Sequence, residues 1–374
     1  MIQKEYIGAG TIHQCKGVLG SFAGENIFLV TGKTSYSKSK AKEFLRDILS
    51  NYKVTVFNDS SSGPKIEDVK LGVDLFKKNK ADVVIAIGGG SIIDMAKLIN
   101  FFSVNKMNDL SLAKLNFDIK RPNPLIAIPT TAGSGSQATH FAVVYKEDVK
   151  YSVAHKYILP DIAIVDMDLT KSLSKKQTAI SGIDALSQAI ESYWSVNSTE
   201  ESKRYAKKAI ELILPNLTIA VDNGARNSRE AMAEAAHLAG KAINIAKTTA
   251  AHAVSYLLTV FHNIPHGHAV ALTMAKFFIV NSKPEEMVLN EQRGKSYLKK
   301  TINEISNLFG CASSQDFAEK WYKLMRDVGL ETDFKTLGIS KQSDIDRIIR
   351  NVNMERLDNN PARINEAILR QIFE

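Results

Sequence analysis

Two segments in the second half of the chain carry side chains that could bind a metal ion. Asp184 and Gln188 are four residues apart in GIDALSQAIESYWS, so they share one face of a predicted helix. His252 and His266 follow, fourteen residues apart. A carboxylate and two imidazoles are typical ligands of a divalent transition metal, and an open coordination position would then hold a substrate oxygen.

The spacing of these residues alone does not select the metal ligands. Four of the eight histidines, His252, His262, His266 and His268, lie within seventeen residues. A single aspartate in a helix is commonly solvated or caps the helix, and a single histidine is more often structural than a ligand. The residues therefore predict a metal site in this half of the chain and leave the choice among its histidines open.

A glycine-rich turn in the first half could bind a phosphate. Gly88, Gly89 and Gly90 directly follow a predicted strand, and Ser91 opens a helix. Consecutive glycines let the backbone approach a ligand closely, and the free N–H groups at a helix start suit a pyrophosphate. The GxGxxG fingerprint is absent, so a tight turn without a ligand is the alternative interpretation.

A second loop of this kind, PTTAGSGS at residues 129–136, follows the predicted strand PLIAI. Its hydroxyl groups, which include those of Thr130, Thr131 and Ser134, could surround a phosphate, a ribose or a nicotinamide. Two glycine-rich turns at consecutive strand ends of one sheet predict the crevice in which a dinucleotide binds.

The residues after the strand NIFLVT bear on which nicotinamide cofactor is used. An acidic residue at this position would bind the adenosine ribose hydroxyls and repel a 2′-phosphate. The chain has Gly32 and Lys33 there instead, which removes the repulsion and offers a cation. We therefore expect a preference for NADP(H), or use of both NADP(H) and NAD(H).

The elements that must position these groups form two predicted domains. Residues 1–173 alternate short apolar strands with helices, which predicts a Rossmann-like α/β domain with a parallel sheet that binds the dinucleotide. The strands are predicted at residues 26–32, 53–58, 81–87, 124–129 and 161–165, with a hairpin of 141–145 and 151–154. The helices between them are predicted at residues 34–52, 66–78 and 91–102.

Residues 174–374 form the second predicted domain, which is all-α and would bind the metal and the substrate, with a cleft between the two domains. Helical patterns run from Lys175 almost to the end of the chain, and the last predicted helix covers residues 359–374. The predicted breaks between helices fall near Pro215, Asn223–Gly224, Pro265, Pro284 and Gly310.

Composition and charge exclude several classes of protein. The net charge is +8, but the 48 basic residues are scattered among 40 acidic ones, so we expect no nucleic-acid partner. A basic surface could instead steer anionic ligands into a cleft. We also expect no membrane span, no signal peptide and no disulfide between the two distant cysteines, Cys15 and Cys311, and hence a cytoplasmic protein.

Five segments of the chain, in the same order, resemble the iron-containing (group III) alcohol dehydrogenase family. They are GGGSIIDMAK, IPTTAGSGSQAT, PDIAIVDMDLT, SGIDALSQAIESYWS and IPHGHAVALT. The resemblance extends from about Phe28 to Ser282. It implies a dehydroquinate synthase-like fold with a Rossmann-like and a helical domain, and assembly into a homodimer.

The resemblance also implies site residues by position. It makes Asp184, His252 and His266 the ligands of one divalent metal, iron or zinc. The contacts that it implies with NADP(H) or NAD(H) are Gly88, Gly89, Gly90, Ser91, Asp94, Lys97, Thr130, Thr131 and Ser134.

The chain departs from the pattern of this family at two positions. Gln188 stands where the family has a histidine one turn after the aspartate, and an amide oxygen is a weaker, harder ligand than an imidazole. Tyr256 stands four residues after His252, where many members have another histidine near the nicotinamide. A phenol can relay a proton, but its ordinary pKa of about 10 makes it a poor base at neutral pH.

Within the family, the stretch AAHAVSYLLTVFHNIPHGHAVALT is most similar to the phosphonoacetaldehyde reductase (hydroxyethylphosphonate dehydrogenase) branch. This similarity implies reduction of a small aldehyde, phosphonoacetaldehyde, to 2-hydroxyethylphosphonate. A phosphonate needs cations or hydrogen-bond donors beside the metal, for which Lys150, His155, Lys156 and His268 are candidates. Tyr256 or His268 would relay the proton to the developing alkoxide.

Two other functions compete with this interpretation. A lyase of the dehydroquinate synthase type shares the architecture and also uses NAD with a metal, but consumes no cofactor. A non-catalytic nucleotide-binding homologue is the other alternative, since Gln188 and Tyr256 both replace chemically stronger residues.

Overall fold

The structure is a computed structural model that describes residues 2–22, 24–58, 63–107, 119–147 and 149–373. The chain divides into two compact units, Met1–Leu173 and Ser174–Glu374. The first unit contains every strand of the described part, and the second is built from helices.

The first unit is built on a six-stranded parallel sheet with the order β1-β8-β5-β4-β2-β3. Strands β6 and β7 form a separate antiparallel hairpin, as predicted. The eight strands are β1 (Lys4–Ile7), β2 (Asn26–Thr31), β3 (Lys53–Phe57), β4 (Val83–Gly88), β5 (Leu125–Pro129), β6 (Phe141–Lys146), β7 (Val149–Ala154) and β8 (Ile162–Val165).

Helices cover both faces of this sheet because its strands are apolar on both sides. Successive side chains of a strand point to opposite faces. Phe28 and Val30 accordingly pack in one core with α4 and α5, and Ile27 and Leu29 pack in another with α1 and α3. The α-helices that the described residues of this unit form are α1 (Gln14–Leu19), α2 (Ser35–Lys38), α3 (Ala41–Leu49), α4 (Ile66–Asn79) and α5 (Gly90–Val104).

The strand order places the predicted cofactor loops at one edge of the sheet. The chain runs from β2 outward to β3 and then returns to β4 on the other side of β2, so the order reverses between β2 and β4. Thr31 pairs with Ile87, and Gly88 pairs with Pro129. Gly32, the Gly88 turn and Thr130 therefore all follow the carboxyl ends of adjacent strands. Such a switch point is where doubly wound sheets bind nucleotides.

Strand β1, helix α1 and the helix predicted for residues 34–52 differ from the sequence prediction. Strand β1 was not predicted, because KEYI is a short and largely polar edge strand without an apolar run. The single helix predicted for residues 34–52 is two helices, since Lys40 adopts a left-handed conformation with φ of 64°. A left-handed residue cannot continue an α-helix, so the chain restarts the helix at Ala41.

Lys97 and Asp94 use their polar groups inside the first unit. The Lys97 side chain is buried, and its Nζ donates to Oγ1 of Thr139 and to the carbonyl of Phe141, each at 2.9 Å. Asp94 accepts hydrogen bonds from the Ser136 hydroxyl and the Val143 amide. Burial lowers the pKa of Lys97 to about 8, although nearby Asp94 acts in the opposite direction. These bonds tie α5 to β6, and the cofactor contacts expected of both side chains stay a prediction.

The second unit is organised around α6 (Lys175–Trp194), which packs against α7, α8, α10 and α11. Ser174 caps this helix in a reciprocal pair with Gln177. The other helices are α7 (Glu200–Asp222), α8 (Arg226–Ala246), α9 (Ala250–His262), α10 (His266–Asn281), α11 (Lys295–Leu308), α12 (Ser314–Asp327), α13 (Gln342–Asn351) and α14 (Glu366–Phe373). None of the described helices is both long enough and apolar enough to cross a bilayer.

The predicted helix breaks near Asn223–Gly224, Pro265, Pro284 and Gly310 are confirmed, but the one at Pro215 is wrong. Pro215 lies inside α7 and is exposed, as is Glu211, whose carbonyl loses its helical partner. Water can solvate that carbonyl, and the buried face of α7 holds the helix in place.

The last predicted helix starts too early. Residues 359–365 precede α14 in a non-helical segment, where Ala362 forms an isolated bridge with Leu289. The buried amide of Asn360 bonds Asn281 and the carbonyl of Ala362, and these tertiary bonds replace helical ones.

We expect Lys97→Met to destabilise the first unit by about 1–3 kcal/mol, because it leaves the Phe141 carbonyl and the Asp94 carboxylate without their cation. Urea unfolding measures this loss, with the exposed Lys77→Met on α4 as the matched control, expected within about 0.5 kcal/mol of the parent. An unchanged stability combined with lost NADPH binding would instead place Lys97 at the cofactor.

Candidate functional site

Three side chains of the second unit come together as a possible metal centre. One ligand atom each from Asp184, His252 and His266 lies within 4.8 Å of the other two. Oδ1 of Asp184 is 3.5 Å from Nε2 of His252 and 4.0 Å from Nε2 of His266. Of the four clustered histidines, the fold groups His252 and His266 with Asp184, so these two are the candidate ligands.

The three residues come from three helices that meet closely. Asp184 lies in the middle of α6, His252 in the first turn of α9, and His266 at the first position of α10. Gly267 permits the approach of α10 to α6, because a Cβ added there would lie 2.2 Å from the Ile180 carbonyl oxygen. The same Cβ would lie 2.7 Å from Cβ of Asp184. Only a glycine fits this contact, which holds His266 beside Asp184.

Gln188 joins the cluster one turn after Asp184. Its side chain is buried, and its Nε2 donates to Oδ2 of Asp184 at 3.1 Å. That bond turns the amide oxygen Oε1 the other way, where it has no hydrogen-bond partner among the described residues. A buried acceptor without a donor is costly, and a cation would satisfy it.

Glu191 is a member of the site that the sequence prediction missed. It is fully buried on α6, and its carboxylate bonds Nδ1 of His252 and the Thr249 hydroxyl. Asp184, Gln188 and Glu191 stand at positions i, i+4 and i+7, which is the spacing of one helix face. That periodicity was the signal that could have identified it.

The electrostatics of the cluster favour a positive charge. Burial lowers the pKa of His252, but the carboxylates of Glu191 and Asp184 outweigh burial and raise that pKa to about 9. One carboxylate, two imidazoles and an amide oxygen without a donor suit a divalent transition metal. The residues present therefore fit the metal that the resemblance implies.

The predicted cofactor loops of the first unit touch each other. A Cβ on Gly90 would lie 2.5 Å from the Ser134 hydroxyl, so the two loops pack directly together. The amide of Thr130 donates to the carbonyl of Gly88 at 2.9 Å. Gly89 caps α5 in an extended conformation, and Ser91 is exposed in its first turn. The free N–H groups of α5 are therefore presented at the edge of the sheet.

The turn after β2 is equally tight. A Cβ on Gly32 would lie 2.4 Å from the Ser35 hydroxyl, which would have to rotate away to admit a side chain. Lys33 is exposed at the carboxyl end of β2, and Thr131 is half-buried in the loop after β5.

The two residues predicted to relay a proton bond backbone carbonyls. The Tyr256 hydroxyl donates to the carbonyl of Asn351 at 2.7 Å. Nε2 of the buried His268 lies 2.7 Å from the carbonyl of Glu331 and donates to it. Burial lowers the pKa of His268. Its role as a proton relay or phosphonate contact stays a prediction.

The predicted phosphonate-binding residues Lys150 and His155 lie in the first unit. Lys150 is half-buried on β7 and pairs in register with Tyr145. Nδ1 of His155 accepts the amide of Tyr157, which leaves a neutral ring with its proton on Nε2. Burial, with Lys156 and His140, lowers the pKa of His155. His155 thus offers a neutral donor, and its contact with a phosphonate stays a prediction.

Comparison with known proteins places the chain in a family. The profile of the iron-containing alcohol dehydrogenases matches residues 3–167, and that of the Fe-containing alcohol dehydrogenase C-terminal region matches residues 178–374. The chain belongs to the iron-containing alcohol dehydrogenase family. It is an NAD(P)-dependent alcohol dehydrogenase whose family uses iron or another divalent metal. The predicted fold class and family are confirmed.

Several relatives of this family member have named activities. Long-chain-alcohol dehydrogenase 1 of Geobacillus thermodenitrificans is 34% identical over 86% of this chain and 82% of its own. The NADPH-dependent butanol dehydrogenase of Clostridium saccharobutylicum is 28% identical over 99% and 95%. The sulfoacetaldehyde reductase of Bifidobacterium kashiwanohense, solved with NAD+, is 29% identical with a TM-score of 0.85 over 99% and 96%. These names do not favour the dehydroquinate synthase alternative.

We expect Gly267→Ala to weaken binding of Fe²⁺ or Co²⁺ at least tenfold, because the added methyl separates α10 from α6 and moves His266. The overpacking should also cost about 1–3 kcal/mol of stability. Metal titration and thermal unfolding measure both effects. Gly17→Ala on α1 is the matched control, since a Cβ there meets nothing within 4 Å. Unchanged metal affinity in Gly267→Ala would contradict this role of the glycine.

Proposed function

We propose that this dehydrogenase reduces a small aldehyde with NAD(P)H at a metal centre held by Asp184, His252 and His266. The observation that carries the proposal is the convergence of these three side chains from three helices. When bound, the metal supplies Lewis-acid polarisation of a carbonyl oxygen, and the reduced nicotinamide supplies the hydride.

The chain's own residues prepare the metal site. Asp184 contributes the one charged ligand, and the Gln188 amide keeps that carboxylate in place while presenting its oxygen. The side chain of His266 is 40% exposed, whereas those of Asp184 and His252 are 9% and 11% exposed. A substrate therefore approaches from the His266 side, and the helices exclude water from the other.

The cofactor proposal rests on the sheet edge of the first unit. The start of α5, from Gly88 to Ser91, would bind the pyrophosphate, and Thr130, Thr131 and Ser134 would bind the ribose or nicotinamide. Lys33 next to that edge supports NADP(H), because a cation in place of an acid accommodates the 2′-phosphate. Relatives named for NADPH and solved with NAD+ leave room for both cofactors.

For the substrate we propose an aldehyde with an anionic head group, phosphonoacetaldehyde. The HAVSY and IPHGHAVALT segments support it, and so does the likeness to a sulfoacetaldehyde reductase, whose substrate also pairs an aldehyde with an oxyanion. Lys150 would supply the cation and His155 a neutral donor. Tyr256 stays the proposed proton relay, and a homodimer the proposed assembly.

An aldehyde panel tests this function. With Fe²⁺ and NADPH, we expect kcat/KM for phosphonoacetaldehyde to exceed that for propanal by roughly 10–100-fold, the value of one charge-assisted hydrogen bond. NADPH should serve at least as well as NADH, and a chelator should abolish turnover. Sulfoacetaldehyde in the panel separates sulfonate from phosphonate recognition.

Each contrary result of this panel removes one part of the proposal. Far better turnover of propanal would overturn the phosphonate assignment, and a strong NADH preference would overturn the inference from Lys33. Tight NADP(H) binding without turnover of any aldehyde would favour the non-catalytic alternative.

Exchange of Gln188 tests whether its amide oxygen binds the metal. Gln188→His should raise the affinity for Fe²⁺ or Zn²⁺ at least tenfold, because an imidazole is a stronger ligand, and Gln188→Leu should lower it about tenfold. Competition with a chelating dye measures both. Ser187→Ala is the control on the same helix, since that hydroxyl bonds only the Ile183 carbonyl among the hydrogen bonds found. Equal affinities in all three variants would exclude Gln188 as a ligand.

A further inference from the structure

The buried carboxylate of Glu191 directs most of its hydrogen bonds to one residue. One oxygen, Oε2, bonds Nδ1 of His252. The other, Oε1, accepts from the Thr249 hydroxyl at 2.9 Å and from the backbone N–H of His252 at 3.3 Å. Two of these three donors belong to His252, so Glu191 fixes both the ring and the backbone of that residue.

This contact determines which nitrogen of His252 is available. A carboxylate accepts hydrogen bonds, so Nδ1 of His252 carries the proton that Glu191 binds. The other nitrogen, Nε2, then faces Oδ1 of Asp184 at 3.5 Å and makes no hydrogen bond within the described residues. Two acceptors that face each other at this distance repel unless a proton or a metal ion lies between them.

The carboxylate is itself held in one orientation. The Thr249 hydroxyl donates to Glu191 and accepts from the indole Nε1 of Trp194 at 2.8 Å. Trp194 follows Glu191 on α6 and is buried, and Thr249 immediately precedes α9. The chain Trp194–Thr249–Glu191–His252 therefore links α6 to the start of α9 with every donor paired. A hydrogen-bonded outer shell of this kind typically changes metal affinity 10–100-fold.

We propose that Glu191 is a positioning residue of the metal centre, which holds His252 with its proton on Nδ1 and aims Nε2 at the position of the ion beside Asp184. This inference rests on the proposed metal site and adds to it the residue that sets ligand tautomer and basicity. The hydrogen bond increases electron density on the ring, so Nε2 binds a divalent ion more tightly.

Glu191→Gln tests the inference, because it keeps the shape and removes the charge. We expect its dissociation constant for Co²⁺ to rise 10–100-fold and the visible absorption bands of bound Co²⁺ to shift. Glu291→Gln is the matched control: it removes another buried carboxylate of the same unit, one that bonds Arg293 instead of a metal ligand. That control should bind Co²⁺ with parental affinity and spectrum, whatever it does to thermal stability.

A second measurement does not depend on the folding of a variant. In the Zn²⁺-loaded full-length parent, with ¹⁵N-labelled histidine, Nδ1 of His252 should resonate as protonated and Nε2 as metal-bound. Metal at Nδ1, or parental Co²⁺ affinity and spectrum in Glu191→Gln, would overturn the role of Glu191. Failure of the parent to bind any divalent ion at this site would instead overturn the proposed function itself.

Discussion

The helical unit depends on the burial of negative charge inside an apolar bundle. Asp184 and Glu191 lie on one face of α6, and both side chains are almost fully removed from water. Unpaired charges at such positions cost several kcal/mol each, by an order-of-magnitude estimate. His252, in the first turn of α9, is placed between them and contacts both carboxylates.

In the α/β unit the corresponding constraint is the close packing of two loops against each other at the carboxyl ends of β4 and β5. The glycine turn after β4 and the serine-rich loop after β5 fit only because Gly90 leaves room for Ser134. A buried cation, Lys97, and its neighbour Asp94 then fasten the β6–β7 hairpin to α5. The side chains that hold this edge together, Lys97 and Asp94, are distinct from Lys33 and Ser91, which are exposed at the edge.

Sequence patterns predicted the strands and helices that are determined by their own residues. They missed those that are stabilised by contacts with residues distant in the sequence. Continuous apolar runs predicted five strands of the sheet, but β1 is stabilised by pairing with β8 and not by its own composition. Pro215 was interpreted as a break, although packing keeps α7 intact. The residue types that could bind a metal were evident, whereas the grouping of His252 and His266 with Asp184 needed three-dimensional proximity. Glu191 was missed because its spacing from Asp184 and Gln188 marks a shared helix face but does not show that this face is buried against His252.

The uneven exposure of the ligand set has a consequence for how the protein acquires its ion. A centre with one solvent-facing imidazole, that of His266, can gain or lose its ion without unfolding of the surrounding helices. Such a centre equilibrates with the free metal ions around it. The concentrations of those ions then decide which one is bound, as much as their relative affinities do. The identity of the bound ion becomes a property of the environment in which the chain folds as much as of its sequence.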